Sequence, residues 1–178
     1  MESRRQALSA VERQTAVLMR HFELLNRRTD IHQQLDRSEY LLLRALEDGG
    51  AMNINALAAQ LGLDPSTAGR QLAGLQRAGL VERTPDPADR RCNVITPTAE
   101  GLERMRHVRT QRTEFTAELL TGWTDEELRT FDTILGKYNR TVAQRYLAGQ
   151  GVFGAAKDTG AKADAEADAG ADIEETAD

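Results

Sequence analysis

Two groups of side chains have types and spacings that could do chemistry, and both suit a polyanion. The first lies in "DPSTAGRQLAGLQR", where Ser66, Arg70 and Arg77 share one face of a helix and Thr67 and Gln71 flank it. Such a helix opens with backbone N–H groups and a positive dipole end, which favour phosphate. Arg70 can bind guanine O6 and N7 bidentately, Gln71 can pair with adenine, and Ser66 and Thr67 can meet phosphate or base edges. The second group is Asp89, Arg90 and Arg91, beyond Pro85 and Pro87 and between two β-prone runs, "LVERT" and "CNVIT". An arginine at the tip of a hairpin can enter a narrow, negative minor groove. Asp89, two residues before Arg91, can fix the direction of its guanidinium, and the prolines restrict the loop before anything binds.

These groups need elements to hold them. Asp64 reads as an N-cap and Pro65 as the first helical residue, with Ala68, Leu72 and Leu75 as the buried face. Gly69 and Gly74 thin this helix, either for tight packing or for close approach of a partner to its outer face. Upstream, "NALAAQLGL" forms a short helix that starts near Asn53 or Asn55 and stops at Gly62. The two short helices make a helix-turn-helix, and strands at 80–84 and 92–96 make a wing directly after it. Before them, "DRSEYLLLRALEDGG" predicts a helix capped by Ser38, burying Leu41, Leu42 and Ala45 and ending at Gly49 and Gly50.

Longer helices flank this unit. Leu8, Val11, Thr15, Leu18, Phe22 and Leu25 form a stripe over residues 6–28, which needs a partner in the chain or in a second subunit. After Pro97 comes a long helix with Leu102, Met105, Val108, Phe115 and Leu119, interrupted by Arg112. The last helix opens with a capping box from Thr124 to Glu127 and carries Leu128, Phe131, Leu135, Val142 and Leu147. The expected fold is therefore mainly α with a small β-hairpin: a winged helix-turn-helix flanked by N- and C-terminal helices.

Charge divides the chain. Residues 1–150 carry 21 basic and 20 acidic groups, whereas residues 151–178 carry 2 and 8, so the net −5 comes from the last stretch. Residues 65–112 hold 9 arginines against 5 acids, a local +4. The Gly-, Ala- and acid-rich stretch from 150 to 178 has too few large apolar residues to offset its ordering entropy, so it is read as disordered. It either keeps the chain soluble or competes with DNA for the basic patch. No apolar run approaches the roughly 20 residues of a membrane span, and the N-terminal segment lacks a signal core. With Cys92 the only cysteine, a cytoplasmic protein is expected.

Other chemistry finds little support. No phosphate loop, zinc-protease helix or nucleophile elbow is present, so no catalytic residue, and no enzyme, is expected. His21, His32 and His107 share no ligand-like spacing, so neither a metal nor a cofactor is expected. Cys92 beside Arg91 has two readings, a thiol with lowered pKa or a small strand residue. The alternatives to DNA binding by a ligand-released regulator are a non-catalytic helical protein-interaction module and a redox-responsive regulator acting through Cys92.

With these residues in view, the chain resembles the MarR family of winged helix-turn-helix regulators across roughly residues 6–147. "LVERTPDPADRRCNVITPTAEG" is similar to that family's wing, whose Asp-x-Arg motif falls on Asp89 and Arg91, and "LAAQLGLDPSTAGRQLAGLQRAGLV" resembles its helix-turn-helix. The resemblance implies a homodimer: residues 1–36 and 99–149 as dimerisation helices, 37–98 as the DNA-binding lobe, and 150–178 as the acidic tail. It implies a double-stranded, pseudo-palindromic operator and repression relieved by a small aromatic or anionic effector. The implied effector pocket lies between the dimerisation helices and the DNA-binding lobe, where His21, His32, Tyr40 and Arg44 could line it. Redox-sensing branches of the family carry a reactive cysteine near the N-terminal helices, and this chain has none there.

Overall fold

The computed structural model describes residues 2–29, 34–87 and 91–147. Six helices and a hairpin follow in the order α1 (Glu2–Arg28), α2 (Arg37–Gly49), α3 (Ile54–Leu61), α4 (Pro65–Arg77), β1 (Val81–Pro85), β2 (Asn93–Pro97), α5 (Ala99–Leu119) and α6 (Asp125–Tyr146). The predicted fold class is the observed one. The strands pair antiparallel with Val81 opposite Pro97 and Arg83 opposite Ile95, and Met52 adds a single bridge to Ile95.

Helices α3 and α5 both start where a side chain can take up an orphan amide. Asn53 caps α3 and Thr98 caps α5, each accepting from the backbone N–H three residues on. The cap of α2 is Asp36, not Ser38: Asp36 accepts from Glu39 N–H, and the Glu39 carboxylate accepts from Asp36 N–H. The physical reason is reciprocity, because Asp36 has a glutamate three residues later whereas Ser38 has Leu41. The α2 stripe is correspondingly rotated: Leu42, Leu43, Ala45 and Leu46 are buried, and Leu41 is only half-buried.

The strands begin one residue later than the pattern predicts. Leu80 N–H donates to Leu75 O, and Leu80 O accepts from Thr98 N–H, so this residue closes α4 and anchors α5. Gly79, at φ 72°, turns the chain between helix and strand. The two glycines of α4 differ. A Cβ on Gly69 would stand 3.3 Å from Ile54 Cδ1, so Gly69 serves packing against α3, whereas a Cβ on Gly74 would meet nothing within 4 Å.

One core joins α2, α3, α4, the hairpin and the first half of α5, built on Leu35, Leu42, Leu43, Leu57, Leu72, Leu75, Ile95, Met105 and Val108. Each such side chain contributes roughly 1.5–3 kcal/mol through burial. By contrast, α1 and α6 bury no residue. Leu8, Val11, Leu18, Met19 and Phe22 of α1 lie exposed, as do Phe131, Ile134, Leu135, Tyr138 and Val142 of α6. The lobe carrying α4 thus has its own core, while among the described residues the outer helices keep their apolar faces uncovered.

Candidate nucleic-acid interface

Helix α4 buries Ala68, Leu72 and Leu75 and turns Ser66, Ala73, Arg70 and Arg77 outward. The first turn is organised by one carboxylate. Asp64 accepts from the Ser66 hydroxyl at 2.6 Å, from the Thr67 hydroxyl at 2.5 Å and from Thr67 N–H at 2.9 Å. These bonds hold its pKa far below the usual carboxylate range, the Ser66 hydroxyl contributing most and the Thr67 side chain next. Arg70 Nη2 in turn donates to Thr67 Oγ1 at 3.1 Å. A relay from Arg70 through Thr67 to Asp64 therefore aims the guanidinium along the opening of the helix.

This relay bears on two expectations about chemistry. Ser66 and Thr67 direct their protons to Asp64, and Thr67 Oγ1 also accepts from Arg70, so it is the exposed Ser66 that offers free lone pairs outward. Lone pairs suit a base-edge amino group, adenine N6 or cytosine N4, rather than a phosphate. The helix opening itself is occupied: Pro65 has no N–H, and Asp64 accepts from Thr67 N–H and, through its carbonyl, from Ala68 N–H. Asp64 thus places a negative charge at the opening of α4, and the cationic side chains on its outer face are Arg70 and Arg77. Arg77 Nε donates to Ala73 O at 3.2 Å, which folds that side chain back along the helix.

Gln71 is also placed differently from the sequence reading. It is half-buried, and its Oε1 is fully buried without a hydrogen-bond partner. It lines a cleft of about 260 Å³ with Ser38, Leu41, Leu61, Leu63 and Leu147. In this rotamer its acceptor is not offered to an adenine, so base reading requires the side chain to swing outward.

On the wing, Arg91 is exposed at the end of the loop, and Asp86 N–H donates to Cys92 O at 2.8 Å just outside the ladder. Cys92 is exposed. Asp89 and Arg90 lie outside the described residues, so the Asp89–Arg91 pairing expected from spacing is not described either. Arg83, exposed on β1, is a wing cation that the sequence reading passed over. Its place became visible only with the hairpin register.

A second concavity, of about 500 Å³, opens between α2, α5 and α6, lined by Tyr40, Arg109, Arg112, Thr113, Thr116 and Leu128 among others. The Arg112 guanidinium stands 4.7 Å from the Tyr40 ring centroid, a cation–π contact. This explains the arginine that interrupts the α5 stripe. Of the four residues expected here, Tyr40 lines the cleft. Arg44 does not; its guanidinium pairs with Glu47 at 3.2 Å and Asp48 at 3.6 Å, and Glu47 also pairs with Arg109 at 3.4 Å. His21 is exposed on α1 and does not line it, and His32 lies outside the described residues. Sequence reasoning missed Arg109 and Arg112, whose shared helix face at i and i+3 was the available signal. Among the described residues no group of three histidine, cysteine or carboxylate side chains could hold a metal ion, and no helix is long and apolar enough to cross a membrane.

Comparison with known proteins converges on one family. The model of the MarR family matches residues 35–93. The HTH-type transcriptional regulator YxaD of Bacillus subtilis (strain 168) is 35% identical over 106 residues, 60% of this chain and 74% of that protein. Among solved structures, the PcaV transcriptional regulator from Streptomyces coelicolor, in complex with its natural ligand, superposes with a TM-score of 0.55 at 22% identity, covering 70% of this chain and 87% of that one. A mutant MarR from E. coli complexed with operator DNA gives a TM-score of 0.55 at 21% identity, over 70% and 95%. At such identities the solved structures speak for the fold alone.

Proposed function

This chain belongs to the MarR family of DNA-binding transcriptional regulators, and on that premise we propose that it works as a homodimer on a pseudo-palindromic operator, as a repressor released by a small effector. One observation carries the reading: the chain divides into a lobe bearing the arginine helix with its own core and two helices whose apolar faces nothing among the described residues covers. Joining α1 and α6 of two copies covers those faces and presents two α4 helices. Half-sites then fall about one duplex turn apart, roughly 34 Å.

Within each half-site we assign Arg70 to a base edge and Ser66 to an exocyclic amino group. Arg77 goes to the backbone, and the wing arginines Arg90 and Arg91 to the adjacent minor groove. The operator complex of the E. coli relative supports this reading. The effector site is the cleft between α2, α5 and α6. Its pair of arginines beside an aromatic ring suits a small aromatic carboxylate or phenolate. The ligand complex of PcaV supports a small-molecule effector. The role is regulatory rather than catalytic.

The test is a mobility-shift titration of the full chain on the DNA flanking its own gene, repeated across salt concentrations. Affinity should fall steeply with salt, and Arg70→Ala should cost about 1–3 kcal/mol with relaxed preference at one base position. Salt-independent binding, or no binding in dilute buffer, refutes the reading.

A further inference from the structure

We propose that the cleft where α2, the α3–α4 turn, α4 and the end of α6 meet is a second small-molecule site, one that takes a neutral apolar ring carrying a single N–H or O–H donor. It is separate from the arginine-lined cleft assigned to the effector above.

The lining sets the class of ligand. Its apolar wall is Leu41 of α2, Leu61 and Leu63 on either side of the turn, and Leu147 just after α6. The polar side chains on it, Ser38, Gln60 and Gln71, are all uncharged. The other cleft is the opposite case, with Arg109 and Arg112 on its wall. An anion entering the leucine cleft loses hydration without gaining a cation, whereas a neutral ring loses little. Size agrees with this. The cleft holds about 260 Å³, and a dry apolar cavity of about 150 Å³ is enough for benzene, so a bicyclic ring fits.

One polar atom sets the donor. Gln71 Oε1 is fully buried without a hydrogen-bond partner. A buried amide oxygen left unpaired forfeits the bonds that water would give it, which makes it a strong acceptor in search of a donor. Gln71 as a whole is half-buried, and the last torsion of a glutamine is broad. A small turn of the amide therefore brings the oxygen to the cleft wall, where a ligand N–H or O–H supplies the missing bond. A single polar group in an apolar pocket fixes the orientation of what binds.

The walls belong to two parts of the molecule. Leu147 N–H closes α6 by donating to Ala143 O at 2.9 Å. Its side chain lies against the turn of the helix-turn-helix: a Cβ on Gly62, which is held at φ 66°, would stand 2.5 Å from Leu147 Cδ2. A ligand in the cleft thus touches the helix-turn-helix and the end of α6 at once. Bonded to Gln71, it keeps that side chain turned inward, away from the outer face of α4.

The experiment titrates the full chain, without DNA, with indole and with 1-methylindole, which differ in the one donor, while the leucine methyl signals are followed by NMR. Binding is read without an operator, so the outcome does not depend on the DNA-binding reading. Indole should shift the methyls of Leu41, Leu61 and Leu63, and 1-methylindole should bind roughly two- to tenfold more weakly, as expected for one neutral hydrogen bond. In Gln71→Met, which keeps the length of the side chain and removes the amide, the two compounds should bind alike. Arg112→Ala, a change in the other cleft, should leave indole binding as it is. Equal affinities in the parent, a preference that survives Gln71→Met, or no binding of either compound overturns the proposal. Shifts at Leu120 and Leu128 with none at Leu41, Leu61 and Leu63 also overturn it, because the ring then sits in the arginine cleft.

Discussion

Replacing Gly101 by alanine tests how the wing is held against the recognition helix. Gly101 is buried in the first turn of α5, and an added Cβ would fall far inside contact distance of the Leu80 carbonyl oxygen, 3.0 Å from its carbon and 3.2 Å from its Cα. All three are backbone atoms, so no rotamer change relieves the overlap. Leu80 cannot retreat cheaply. It is buried in the core, its carbonyl accepts from Thr98 N–H, and Thr98 Oγ1 donates to Gly79 O at 2.8 Å. Overpacking of this kind costs about 1–3 kcal/mol, and the rigid neighbour places Gly101→Ala at the upper end. Alanine recovers about 1 kcal/mol of helix propensity, leaving a net loss of about 2 kcal/mol, roughly 30-fold in the folding equilibrium. Urea unfolding at fixed protein concentration should show the midpoint falling by about 0.7–2 M with the slope unchanged. Gly74→Ala is the control: the same atom enters open space, so the midpoint should rise. An unchanged or raised midpoint for Gly101→Ala refutes the account of how α5 is seated on Leu80.

Other perturbations address the remaining links. Folding depresses the carboxyls of Asp64 and Glu127 through hydrogen bonds from Ser66, Thr67 and Thr124, so their stabilisation is complete above the ordinary values of 3.8 and 4.5 and is lost as pH falls toward the lower folded values. The gap in urea midpoint between wild type and Asp64→Asn should therefore stay constant above about pH 5 and close in stronger acid; a gap independent of pH removes the charge from the explanation. Arg112→Ala should weaken the ability of benzoate-type carboxylates to release DNA by about tenfold, as expected for a hydrogen bond to a charged group, without changing operator affinity in their absence. Release at unchanged concentration would place the effector elsewhere. Phe22→Asp with Ile134→Asp puts charge on both uncovered faces, and sedimentation should find single chains; an intact dimer would mean that the interface lies elsewhere.

Much of the framework was legible because its signals are local. Asp64–Pro65 announced α4, Thr124 with Glu127 announced α6, and the alternation around Pro85 and Pro87 announced the hairpin, since caps and periodicity act within a turn or two of the chain. The Asp36–Glu39 box was equally local and was passed over for Ser38. The hairpin slipped by one residue because Leu80 serves α4 and α5, a commitment that no pattern inside the strand records.

By itself, the order of residues determined the elements, the buried stripe of α4 and the concentration of arginines between residues 65 and 112. Only the tertiary structure decided what those groups offer. It gave the Ser66 and Thr67 protons to Asp64, turned the Gln71 oxygen inward beside Leu147, set Arg112 over Tyr40 and pressed Gly101 against Leu80. The reason is physical. Periodicity and capping are short-range and readable one helix at a time, whereas a proton's destination or a cleft's lining depends on which faces of distant segments meet, and packing settles that for the whole core at once.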